Sequence, residues 1–230
     1  MSLTDRALFA ASRFTSHWAG VLSDRADAKC RVGSGTSGPG STPEAEAYRQ
    51  QVRQGNRRKG LVIVNTGMGK GKSTAAMGIA FRAKGRRLRV GIIQFIKPGT
   101  ARFGELRMAR DAGIHVEGWG DGWTWESSDL GESAARSLAG WERAKGYISE
   151  HAFDVLILDE FTYLLHYNWL DTAECIDWLR EHRPPRMHVV ITGRHAPDAL
   201  IEFADLATEM RVLKHPFREQ GIKAQPGIEF

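Results

Sequence analysis

The sequence predicts an α/β domain with a doubly wound, mainly parallel sheet that is covered by helices on both faces. Four apolar runs of strand length lie at residues 61–64, 90–96, 155–158 and 189–192. Helical stretches separate several of these runs, at residues 130–149, 170–181 and 198–203. Strands that are buried on both faces are continuously apolar, whereas half-buried strands alternate with polar residues. The four runs therefore indicate parallel strands joined by helices.

A glycine-rich loop between the first apolar run and a helix indicates which kind of α/β fold the chain adopts. Residues 65–74 have the sequence NTGMGKGKST, and an apolar helical pattern follows at residues 75–79. Gly67, Gly69 and Gly71 allow the backbone to turn its N–H groups toward phosphate oxygens, and the helix N-terminus adds partial positive charge. Strand, loop and helix together predict a phosphate-binding P-loop and a P-loop NTPase (RecA-like) fold.

Lys72 and Ser73 carry the specific chemistry of this loop. Lys72 can reach a terminal phosphate, and Ser73 can place its hydroxyl on a magnesium ion that also binds phosphate oxygens. Thr66 stands where the strict Walker pattern has its first glycine, so the usual placement of the nucleotide does not follow. We expect the nucleotide to contact the loop residues Thr66, Gly67, Met68, Gly69, Lys70, Gly71, Lys72, Ser73 and Thr74.

Two adjacent acids, Asp159 and Glu160, directly follow the third apolar run. An acid at the carboxyl end of a buried strand in a P-loop fold faces the phosphate loop, where it can hold magnesium directly or through water. Neighbouring residues of an extended chain point in opposite directions, so we expect one acid to serve the metal and the other a neighbouring group. Arg194 follows the fourth run, where it either contacts phosphate or lies on the surface.

A tryptophan-rich segment at residues 117–126 is a second candidate binding element. It places Trp119, Trp123 and Trp125 among glycines, which predicts a flexible loop with an apolar wall for a flat partner. A core-packing hairpin is the alternative. A nucleic-acid stacking platform requires interleaved basic residues, which are absent between residues 117 and 129, so we expect no nucleic-acid partner.

Composition limits the class of protein further. The chain has 230 residues, 42% of them hydrophobic, which suits one full core. The net charge is +5, but the basic residues are spread along the chain as solvated surface charge. Two distant cysteines suggest neither a disulfide framework nor a zinc site and favour a reducing, cytoplasmic location. No apolar run approaches the length of a membrane span, so we expect no membrane partner.

The two ends of the chain differ from the middle. Residues 1–43 end in a stretch rich in Gly, Ser and Pro, which predicts a disordered extension ahead of a domain at residues 44–230. Thr42 can cap a polar helix at residues 44–53, which would lie on a surface or on a neighbouring subunit. Residues 214–228 show no helix or strand period and form a loose end unless they line a site.

Six segments together resemble the P-loop family of ATP:corrinoid adenosyltransferases, which make adenosylcobalamin. The segments occur in the family's order and with matching separations, and the resemblance covers about residues 44–230. They are residues 66–74, 94–97, 123–126, 158–163, 191–194 and 223–228. The P-loop alone would be unspecific, whereas the whole set is specific to this family.

The resemblance implies that a reduced corrinoid displaces inorganic triphosphate from the ribose C5′ of ATP. ATP lies in the family's P-loop with reversed polarity, which fits the shifted first glycine. Cobalt(I) has no proton to remove, so magnesium, Lys72 and the exclusion of water would carry the rate without a general base. By position, Ser73 and Glu160 match the family's metal-binding hydroxyl and carboxylate, and Asp159 is the Walker-type acid beside them.

The resemblance also assigns the corrinoid side of the reaction. Trp123 and Trp125 match the aromatic segment that crowds the lower face of cobalt and displaces its axial base, with Trp123 standing where relatives have phenylalanine. The helix within residues 44–58 would cover the corrinoid site across a homodimer. The reaction would require an external reductant such as a flavoprotein.

Two other functions are compatible with parts of the sequence. In a RecA-like ATPase, Glu160 would activate water and the products would be ADP and phosphate. A nucleotide-dependent binding module, such as a corrinoid carrier, would use the tryptophan segment without chemistry.

Overall fold

The computed structural model describes residues 42–55, 58–98, 103–120 and 130–229. It divides into two units, Met1–Asn56 and Arg57–Phe230. The predicted disordered extension lies almost wholly outside the described residues and stays a prediction. None of the helices in the described ranges combines the length and the apolar character that crossing a bilayer requires.

The first unit contributes one described helix, α1, at Pro43–Gln54. The Thr42 hydroxyl caps it by accepting a hydrogen bond from the Ala45 amide at 3.3 Å. No residue of α1 is buried within its unit, and Tyr48 and Val52 are 68% and 52% exposed. The predicted polar helix is therefore confirmed, with its two apolar side chains facing outward.

The second unit is built on a six-stranded sheet in which every pairing is parallel, in the order β3-β2-β4-β5-β1-β6. The strands are β1 (Val62–Thr66), β2 (Val90–Pro98), β3 (His115–Gly120), β4 (Val155–Asp159), β5 (His188–Thr192) and β6 (Leu206–Glu209). The four predicted strands occupy the centre of this sheet. The structure confirms the predicted α/β fold and its parallel strands.

The sequence does not predict β3 and β6, which form the two edges of the sheet. Their sequences, HVEGWG and LATE, lack a continuous apolar run because an edge strand is only partly covered. The interpretation of residues 117–126 as a loop is therefore wrong for residues 117–120, which belong to β3. Residues 121–129 lie outside the described residues.

Helices cover both faces of the sheet. They are α2 (Lys72–Gly85), α3 (Gly104–Asp111), α4 (Leu130–Ser149), α5 (Thr162–His166), α6 (Thr172–His182), α7 (Asp198–Phe203) and α8 (Pro216–Gln220). Side chains alternate along each strand, so Ile157 packs in one apolar cluster with Ala76 and Leu106, while Leu158 packs in the other with Trp141. The two clusters form the two halves of the core.

A substitution at Gly91 tests how closely Phe153 packs against β2. A Cβ at this position would lie 2.5 Å from the Phe153 ring, which stacks on His115. We expect Gly91→Ala to lower the free energy of unfolding by about 1–3 kcal/mol, because the ring must shift. Urea denaturation followed by far-UV circular dichroism measures this change.

Gly78 of α2 is the matched control for this substitution. A Cβ there meets no atom within 4 Å, so we expect Gly78→Ala to raise the free energy of unfolding by about 0.5–1 kcal/mol. A Gly91→Ala variant that unfolded at the wild-type urea concentration would contradict the packing of Phe153 against β2.

Candidate active site

The P-loop runs from the end of β1 into α2. Gly67 and Gly71 have φ values of 97° and 107°, in the left-handed region that favours glycine. Gly71 is the N-cap of α2, and within the described residues no side chain caps this helix. The first amides of a helix have no acceptor in the helix itself, so this end of α2 suits an anion.

The segment after β6 holds the loop in place. The Gly69 amide donates to the Met210 carbonyl at 2.6 Å, and the Met210 amide donates to the Thr66 carbonyl at 2.8 Å. A Cβ on residue 69 would lie 2.7 Å from the Met210 carbonyl. Gly69 is therefore required for a close backbone approach, and its amide donates to the Met210 carbonyl.

Lys72 curls back over the loop. Its ammonium group donates to the carbonyls of Gly67 at 2.8 Å and Gly69 at 2.7 Å, and the residue is 7% exposed. These contacts keep a positive charge at the centre of the loop. A phosphate group that entered the loop would be attracted by this positive charge.

Asp159 lies at the carboxyl end of β4 and is fully buried. One carboxylate oxygen accepts from Gln94 Nε2 of β2 at 2.8 Å, and the other accepts from Thr192 Oγ1 of β5 at 2.7 Å. A buried carboxylate requires such donors, because burial without them is costly. Asp159 therefore links β4 to both of its neighbouring strands, β2 and β5.

Glu160 points elsewhere because its backbone turns sharply. Its φ is 61°, a left-handed conformation that costs a residue with a side chain about 1–2 kcal/mol. The Glu160 amide donates to Thr192 Oγ1 at 2.9 Å, and its half-buried side chain lines the cleft beside the P-loop. The two acids thus separate as expected, one toward neighbouring strands and one toward the cleft.

The cleft has a volume of about 400 Å³. Its walls include the loop residues from Met68 to Thr74, together with Glu160, Tyr163 and Arg194. The C-terminal tail supplies Val212, His215, Arg218, Ala224, Ile228 and Glu229. Lys70 Nζ pairs with Glu229 Oε2 at 2.5 Å and links the loop to the tail. The tail therefore lines the cleft. The sequence predicts either a loose end or a segment that lines a site, and the structure supports the second interpretation.

The structure separates the predicted site residues into groups. Met68 to Thr74, Glu160 and Arg194 share the cleft, where the Arg194 carbonyl accepts from Thr162 Oγ1 at 2.5 Å. The Thr66 side chain instead accepts from the Ala196 amide at 3.2 Å. Asp159 lies behind the cleft, in the sheet. Trp123 and Trp125 lie outside the described residues.

Burial and nearby charges shift the pKa values of two side chains in this region, His195 and Tyr163. Burial lowers the pKa of His195, and the neighbouring positive and imidazole groups lower it further, namely His166, Arg194 and Lys72. Burial, and next the charge of Glu160, raise the pKa of Tyr163. At neutral pH His195 is therefore largely uncharged and the Tyr163 hydroxyl keeps its proton.

A row of buried polar residues crosses the sheet near the carboxyl ends of its strands, and sequence reasoning singled out only Asp159 of them. Asp159 and Thr192 are the last residues of β4 and β5, Asn65 is the next-to-last residue of β1, and Gln94 lies within β2. The register places Gln94 opposite Asp159 and Asn65 opposite Thr192. Among the described residues, Asn65 Nδ2 has no hydrogen-bond partner. The signal in the sequence is a polar residue within each apolar run or directly after it.

Trp119 belongs to the core and not to the cleft. It packs against the core cluster, close to Gly140 of α4, and its Nε1 donates to Glu117 Oε2 at 3.0 Å. The core-packing alternative therefore holds for this tryptophan. Glu117 also accepts from Tyr147, which ties β3 to α4 on either side of residues 121–129.

The chain is similar to known proteins over most of its length. Residues 58–230 match the family model described as ATP:corrinoid adenosyltransferase BtuR/CobO/CobP. A corrinoid adenosyltransferase of Sinorhizobium sp. is 44% identical over 174 residues, which cover 75% of this chain and 81% of the relative. The corrinoid adenosyltransferase of Escherichia coli strain K12 is 38% identical over 185 residues, covering 80% and 93%. The chain therefore belongs to the family of ATP:corrinoid adenosyltransferases.

Proposed function

We propose that this chain transfers the 5′-deoxyadenosyl group of ATP to the cobalt(I) of a reduced corrinoid. The observation that carries the proposal is the family match over residues 58–230, which contain the P-loop, both acids and the tail that lines the cleft. The electron pair of cobalt(I) forms the new bond to C5′. The C5′–O bond breaks, and its electrons leave on inorganic triphosphate.

Positioning and charge neutralisation are the main contributions of the protein to this displacement. Cobalt(I) carries no proton, so the reaction needs no general base. The leaving triphosphate gains negative charge, which the Lys72 ammonium and the N-terminus of α2 would stabilise. The other loop residues from Thr66 to Thr74 would hold the nucleotide mainly through the backbone, and Arg194, which also lines the cleft, would contact phosphate.

We further propose that Ser73 and Glu160 hold a magnesium ion together with the triphosphate. Both side chains line the cleft, and hydroxyl, carboxylate and phosphate oxygens are the donors that Mg²⁺ prefers. Bound magnesium would neutralise charge on the leaving group. Both oxygens of Asp159 already accept hydrogen bonds, so this acid would act on the metal through water or by orienting its neighbours.

On the corrinoid side, we propose that Trp123 and Trp125 crowd the lower face of cobalt and displace its axial base. Helix α1 would cover the corrinoid site of a second copy in a homodimer, and its exposed Tyr48 and Val52 support this role. A cytoplasmic location and a flavoprotein reductant complete the proposal.

An anaerobic incubation with MgATP, a strong reductant and cob(II)alamin tests the function. We expect the light-sensitive spectrum of adenosylcobalamin and a stoichiometric amount of triphosphate. ADP and phosphate without a corrinoid spectral change would instead indicate a RecA-like ATPase. Nucleotide-dependent corrinoid binding without either product would indicate a binding module.

Lys72→Ala tests the role of the P-loop. Removing the ammonium group should lower triphosphate release by about 100-fold or more, because the leaving group loses its nearest fixed charge. Triphosphate formation in the anaerobic assay measures the loss. Lys84→Ala is the control, since Lys84 lies on the same helix and donates to the Gly113 carbonyl away from the cleft. Normal turnover by Lys72→Ala would contradict the assignment.

Trp123→Ala tests the tryptophan segment. The substitution should slow the reaction from cob(II)alamin more than the reaction from chemically prepared cob(I)alamin, because the ring is proposed to remove the axial base before reduction. Parallel rate measurements from the two cobalt states check this difference. Trp123→Phe should retain most of the activity in both. Equal losses from the two states would argue against the axial-ligand role.

A further inference from the structure

We propose that Thr192 is a positioning residue that aims Glu160 into the cleft. The proposal rests on the magnesium site proposed above, to which it adds a residue. Among the described residues, the hydrogen bonds of the Thr192 hydroxyl go to Asp159 and to the Glu160 amide, so the effect of this hydroxyl on the cleft would pass through the acid pair.

The Thr192 hydroxyl joins the two acids of the pair. It lies at the end of β5, next to β4, and is fully buried. Its oxygen lies 2.7 Å from Asp159 Oδ1 and 2.9 Å from the Glu160 amide nitrogen. The amide can only donate, so the hydroxyl accepts from Glu160 and gives its own single proton to Asp159.

This arrangement explains how Glu160 keeps a left-handed backbone. The φ of 61° is unfavourable for a residue with a side chain, so the surrounding structure must hold it. The hydrogen bond from the Glu160 amide to the Thr192 hydroxyl restrains this turn from a neighbouring strand. Without it, the backbone of Glu160 would lose this restraint, and the direction of the carboxylate would be less well fixed.

Gln94 supports the same pair from the other side, but only at Asp159. Its Nε2 donates to Asp159 Oδ2 at 2.8 Å, and its contact does not include the Glu160 amide. Thr192 and Gln94 therefore share Asp159 and differ at Glu160. A test that compares them separates an effect on Glu160 from a general effect on the buried carboxylate.

Metal binding in the absence of corrinoid is the direct readout. Mn²⁺ replaces Mg²⁺ as the probe, and its ATP-dependent binding to the full chain is measured by electron paramagnetic resonance. Thr192→Val keeps the shape and removes the hydroxyl, and it should weaken Mn²⁺ binding by about 10–100-fold, the usual cost of losing a partner that orients a ligand. Thr192→Ser keeps the hydroxyl and should remain within about threefold of wild type.

Two further variants make the test specific. Ser137→Ala removes a buried hydroxyl that has no hydrogen-bond partner among the described residues, and it should leave Mn²⁺ binding and activity unchanged. Gln94→Leu should weaken Mn²⁺ binding less than Thr192→Val does. Thermal unfolding of every variant identifies any that fail to fold. If Thr192→Val fails to fold, Thr192→Ala replaces it, and we expect the same loss of Mn²⁺ binding.

A double-mutant cycle with Glu160→Gln tests whether Thr192 acts through Glu160. In the Glu160→Gln background, Thr192→Val should cause little additional loss of Mn²⁺ binding, because the ligand it positions is already gone. Fully additive losses, or wild-type Mn²⁺ binding by a folded Thr192→Val, would overturn the inference. If the wild-type chain bound no Mn²⁺ in the presence of ATP, the proposed magnesium site itself would be wrong. Adenosyl transfer is tested separately, by the anaerobic incubation described above.

Discussion

The hydrogen bonds around Asp159 are the interaction on which the carboxyl edge of the sheet depends. This carboxylate is fully buried, and donors from the strands on both sides hold its oxygens. Removing either donor would leave a buried charge only partly compensated, which is among the more destabilising changes a core can undergo. These bonds consequently link β4 to β2 and β5 at the level of Asp159, and the segments that follow β4 and β5 start from this fixed point.

The cleft is a consequence of that fixed edge. The P-loop leaves β1 next to β5, and the segment after β6 closes against it through the paired bonds between Thr66, Gly69 and Met210. Glu160 and Arg194, which follow β4 and β5, line the same cleft. Parallel strands all have their carboxyl ends on the same side of the sheet. Residues that are far apart in the chain therefore meet there, because each follows one of these strand ends.

The chemistry proposed for this cleft suits such a rigid edge. A cobalt(I) nucleophile needs no proton transfer, so the protein contributes by holding ATP, stabilising the leaving triphosphate and excluding water. These tasks depend on the directions of a few groups. The buried hydroxyl of Thr192 is proposed to fix the direction of the Glu160 side chain from the neighbouring strand. Its one oxygen atom contacts both Asp159 and the backbone amide of Glu160.

The central parallel strands, the P-loop, the polar helix α1 and the acid pair could all be predicted from the sequence. Each depends on local composition: continuous apolar runs, glycines, a capping threonine and charges at strand ends. The edge strands β3 and β6 could not be predicted in this way, because their partial exposure removes the apolar signal. The folded structure also shows which of the two acids lines the cleft, where the C-terminal tail lies and which groups the Thr192 hydroxyl contacts. Those depend on strand order and register, which bring together residues separated by 32 positions or more along the chain.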